Sequence, residues 1–67
     1  MNSPVNDKNF DMVSTLYHAS KGVQLCSQFS EDAKQHSDDE AQQFFDRVAK
    51  SYEDIAEQAR KQLKQKL

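Results

Sequence analysis

KQHSDDE, residues 34–40, carries no apolar side chain and separates two long segments with helical periodicity. Ser37 followed three residues later by Glu40 has the spacing of a capping box. In that motif the serine hydroxyl accepts a hydrogen bond from a first-turn N–H, and the glutamate reaches back to the serine N–H. Asp38, Asp39 and Glu40 put negative charge where the positive end of a helix dipole favours it. The stretch therefore predicts a turn at about 35–38 and a second helix starting at about 38. A connection this short makes the flanking helices antiparallel neighbours.

Upstream, apolar and small residues step by four and three: Met12, Leu16, Ala19, Val23, Cys26, Ser30 and Ala33. That is the period of a helix, not the alternation of a strand. Val13, Tyr17 and Phe29 broaden the same face. Asn6 is a candidate N-cap, with Val5 before it and Phe10 at the fourth helical position as a hydrophobic staple. Ser3-Pro4 offers a start one turn earlier. The predicted layout is a flexible N-terminus at 1–5 and a single hairpin at 6–67, with its first helix over about 6–35.

Downstream, a second seam runs Ala41, Phe45, Val48, Tyr52, Ile55 and Ala59, with Phe44, Ala49, Ala56 and Leu63 beside it. Arg60, Lys61, Lys64 and Lys66 collect at the end of this segment, matching the negative end of the dipole and predicting a helix to about 65. Glu57 and Lys61 form an i,i+4 pair in the favourable order. Gly22 stands in mid-helix at a cost of about 1 kcal/mol against alanine, which points to a close approach of the second helix.

Sixty-seven residues, 36% of them hydrophobic, make a small core. A chain this size rarely gains more than about 3–5 kcal/mol from its core alone. The single cysteine excludes an internal disulfide, and no clustered Cys/His spacing suggests zinc. Association is the remaining remedy. The expectation is an all-α, antiparallel two-helix hairpin that forms a homodimeric four-helix bundle. Its core is expected to comprise Met12, Leu16, Ala19, Val23, Cys26, Phe45, Val48, Tyr52, Ile55 and Ala59.

A net charge of −2 argues against nucleic acid as a partner. No apolar run approaches the roughly 20 residues of a membrane span, and MNSPVNDKNF lacks the basic and apolar regions of a secretory signal. The expected location is the cytoplasm.

Catalytic candidates are sparse. His18 has Ser14, Thr15, Lys21 and Gly22 one turn away, none of them a suitable co-ligand for a metal. Asp32 and His36 have i,i+4 spacing but make only two ligands. Cys26 lies on the core seam, with no basic neighbour one turn before it and no helix N-terminus nearby, and reads as a small buried hydrophobe. Asp46, Glu53, Asp54 and Glu57 alternate with Arg47, Lys50, Arg60 and Lys61 and read as a solvated face. No glycine-rich phosphate loop or nucleophile elbow is present.

The stretch EDAKQHSDDEAQQFFDRVAKSYEDIAEQA, residues 31–59, is similar to the helix–turn–helix half of ferritin-like proteins, the rubrerythrins especially. The similarity extends over roughly residues 12–63 as a pattern of helix faces. It implies a ferritin-like bundle. The family's di-iron centre takes a Glu from the first helix and a Glu-x-x-His from the second. Aligned on the turn and on Phe44-Phe45, those three positions hold Ala19, Tyr52 and Ile55 here. The resemblance thus implies the architecture without the metal ligands. The expected function is a non-catalytic scaffold, adaptor or regulatory protein without a cofactor, binding its own copy and another protein. The alternative is a ferritin-like iron-binding or oxidase-type protein with a displaced site, near Gln24 and Tyr52.

Overall fold

The computed structural model describes the backbone of residues 7–66 and the side chains of residues 9–66. Two helices, α1 (Asp7–Gln35) and α2 (Asp39–Lys66), pack against each other as a hairpin. The proposed Asn6 cap and the reading of residues 1–5 lie outside the described residues.

The turn is built differently from the capping box. Ser37 adopts the left-handed conformation, with φ 57°. The Asp38 N–H donates to the Ala33 carbonyl at 2.9 Å, and the Ser37 N–H to the Lys34 carbonyl at 3.0 Å. Together these are the two bonds of a Schellman motif, which satisfies the last carbonyls of α1. Ser37 is therefore the residue that ends α1, not the one that caps α2. That role falls to Asp38: its carboxylate accepts the Ala41 N–H at 3.1 Å, and its carbonyl accepts the Gln42 N–H at 3.0 Å. Glu40 lies in the first turn of α2, where its charge suits the dipole, but no box partner is available to it.

Between the helices the packing is made by small side chains. Ala19, Cys26, Ala33, Ala56 and Ala59 are the buried hydrophobic residues, joined by Ser30. Met12, Leu16 and Val23 of α1 are half-buried, as are Phe45, Val48, Tyr52 and Leu63 of α2. Among the described residues no large side chain is fully buried. The α1 seam thus faces α2 along its length. On α2 the phase differs slightly from the sequence reading. Ala56 is 4% exposed and Ile55 43%, so Ala56 takes the inner position and Ile55 stands on a flank. Both fall on helical spacings from Tyr52, and the smaller residue takes the close contact.

Two cross-helix contacts fix the register. A β-carbon added to Gly22 would stand 2.7 Å from the Tyr52 ring, so the ring lies directly against the glycine backbone. The close approach expected of Gly22 is made to this tyrosine. Nearer the turn, the Ser30 hydroxyl donates to the Asp46 carboxylate at 2.6 Å. Asp46, grouped from sequence with the solvated carboxylates, is held by the partner helix.

Candidate functional site

The hairpin has two long flanks, and their chemistry differs. On one, α1 presents His18, Gly22, Leu25 and Phe29 at helical steps of four and three. Beside them α2 presents Ala41, Phe44, Val48 and Ile55. Leu25, Phe29, Phe44 and Ile55 are 47, 41, 51 and 43% exposed. Phe45 ties the two stripes together, its ring 5.4 Å from that of Phe29 and 5.3 Å from that of Phe44, both edge-on.

Three shallow hollows run along this flank. The one at the turn is lined by Phe29, Ala33, Ala41 and Phe45, with Asp32 and Asp38 at its rim. The middle one lies over Ala19, Gly22, Leu25, Tyr52 and Ile55, beside Lys21. The third, toward the open end, lies over Met12, Ile55 and Ala59, beside Lys66. The opposite flank is polar: Ser20, Glu53, Glu57 and Arg60 surround a floor of Val23 and Ala56. Its Arg60–Glu57 ion pair, at 3.4 Å and open to solvent, contributes little. A separate stripe on the outside of α1 carries Phe10, Val13 and Tyr17, all more than half exposed.

The candidate reactive residues are occupied locally. His18 Nδ1 lies 2.8 Å from the Ser14 carbonyl and His36 Nδ1 2.9 Å from the Asp32 carbonyl. A carbonyl only accepts, so both imidazoles carry the proton on Nδ1 when neutral. The Asp32 carboxylate accepts from the Gln28 amide at 3.1 Å, so Asp32 and His36 are not turned toward a shared ion. Cys26 is a free thiol, buried between the helices. Among the described residues no three His, Cys, Asp or Glu side chains gather as a metal-binding cluster.

Ala19, Tyr52 and Ile55 do come together, around the middle hollow. They offer a methyl group, a phenol and a branched alkyl chain. Those donors do not fit a pair of metal ions, which needs bridging carboxylates and imidazole. No family model, no curated protein and no solved structure matches this chain. No helix of the described residues is long and apolar enough to cross a membrane.

Leu25 is the residue of this flank that the sequence seam left out. The signal was present: 18, 22, 25 and 29 step by four and three, parallel to the seam and one residue away from it. It was hidden by His18 and Gly22, which dilute the stripe.

Proposed function

We propose that this chain is a non-catalytic, self-associating helical module, a scaffold or adaptor whose apolar flank is covered by a second copy. One observation carries the reading: the hairpin fully buries only small residues, half-buries several large ones and leaves Leu25, Phe29, Phe44 and Ile55 exposed along one flank. Burying a Leu, Ile or Phe side chain contributes about 1.5–3 kcal/mol, and the hairpin by itself forgoes much of that at Leu25, Phe29, Phe44 and Ile55. Two copies packed flank to flank recover it and form a four-helix bundle. The resemblance of residues 31–59 to ferritin-like proteins favours the same reading, since its alignment puts Tyr52 and Ile55 at positions where that family has metal ligands.

Native mass spectrometry of the purified chain, which reports chain count and bound metal together, is the direct test. A metal-free dimer is expected. Ile55→Asp places a charge on the covered flank and converts the dimer to monomer, whereas Asp54→Ala, on the outer side, leaves association unchanged. A wild-type chain that is monomeric with its helicity intact overturns the reading, and so does a dimer indifferent to Ile55→Asp.

A further inference from the structure

We infer that the two copies lie antiparallel, related by a two-fold axis across the hairpin, so that the turn of each covers the open end of the other. The inference rests on the self-associating reading and adds the partner's orientation. It is carried by the distribution of charge. The turn end holds Glu31, Asp32, Asp38, Asp39 and Glu40 against a single cation, Lys34. The end of α2 holds Arg60, Lys61, Lys64 and Lys66 with no acid among residues 58–67. The adjoining start of α1 adds Asp7, Lys8 and Asp11, so that end stays net basic.

The same polarity runs along the apolar flank itself. Asp32 and Asp38 border the hollow at the turn, whereas Lys66 borders the hollow at the open end and Lys21 the middle one. A parallel pairing would bring two acidic turns together, and like charges so juxtaposed oppose association. An antiparallel pairing sets each acidic turn against the partner's basic end. The face offered is large enough for either arrangement. The molecule measures 49 × 24 × 12 Å, so its broad face is on the scale of the roughly 800 Å² per partner that stable interfaces bury. Charge, not area, selects the orientation.

The two orientations place the turns at very different separations. Gly22, against Tyr52, marks the middle of the hairpin, and Gln35 lies about 20 Å further along α1 at 1.5 Å per residue. Two antiparallel copies centred there hold their Gln35 positions about 40 Å apart, and two parallel copies hold them within about 20 Å. The full chain carrying Gln35→Cys, with the buried thiol removed by Cys26→Ala, takes a nitroxide label at this exposed position. Pulsed electron–electron resonance is expected to give a distance distribution centred beyond about 30 Å. A distribution centred below about 20 Å overturns the orientation while leaving the dimer standing. A chain that sediments as a monomer, labelled and unlabelled alike, overturns both.

Discussion

Ser37 holds the turn in a backbone conformation that its own side chain resists. At φ 57° an L-residue other than glycine carries a steric cost of about 1–2 kcal/mol, and glycine is the usual occupant of this helix-ending position. Ser37→Gly removes that cost and adds back some unfolded-state entropy, for a net gain of about 0.5–1 kcal/mol. Its neighbour behaves oppositely. Asp38→Ala loses the carboxylate that accepts the Ala41 N–H and is expected to cost about 1 kcal/mol. Thermal unfolding followed by circular dichroism separates the two, each kcal/mol moving the midpoint by about 4–8 °C in a domain of this size. If Ser37→Gly destabilises as much as Asp38→Ala does, the Schellman assignment is wrong. The existence of a break at 34–40 was legible because a fully polar run interrupts two apolar periodicities. Which residue did the capping was not. The Ser37–Glu40 spacing and the Asp38 side chain compete for the same N-terminus, and no glycine marks where α1 ends.

The helices as elements are held in register by Gly22 against Tyr52 and by Ser30 with Asp46. The first contact predicts an inversion of the usual helix propensity. Alanine is ordinarily better than glycine in a helix by about 1 kcal/mol. Here its β-carbon would meet the Tyr52 ring at 2.7 Å, and the ring is too rigid at its root to yield cheaply. Gly22→Ala is therefore expected to destabilise by about 1–3 kcal/mol. In a Tyr52→Ala background the same substitution should instead stabilise by about 1 kcal/mol. Chemical denaturation of the four proteins of this cycle checks the change of sign, and a Gly22→Ala effect equal in both backgrounds would deny the contact. Ser30→Ala, which leaves Asp46 without its cross-helix donor, is expected to cost about 1 kcal/mol by the same measurement. A packing role for Gly22 was readable from its isolation in mid-helix. Its partner was not, because which residue of α2 lies opposite depends on the three-dimensional register. The same register decides between Ile55 and Ala56, adjacent residues that both satisfy a helical step from Tyr52.

At the scale of the whole molecule, an interior of alanines, one cysteine and one serine has little to set against the entropy of ordering some 60 residues, at about 1–2 kcal/mol each for backbone alone. Short length and wide apolar periodicity are the sequence grounds on which association is proposed. Which flank is left apolar became readable only once Ala56, not Ile55, was placed between the helices, leaving Leu25, Phe29, Phe44 and Ile55 together outside. If association supplies the missing burial, folding and dimerisation are linked, and stability depends on protein concentration. Raising the concentration from about 1 to about 100 µM should then lift the thermal midpoint by about 5–10 °C, as mass action divided between two chains requires. Ile55→Asp should be less helical than wild type and lose this dependence, while Asp54→Ala should retain it. A midpoint that stays constant across the series, with full helicity at the lowest concentration, would mean that small-residue packing suffices for the hairpin alone. The exposed flank would then have to serve something other than a second copy.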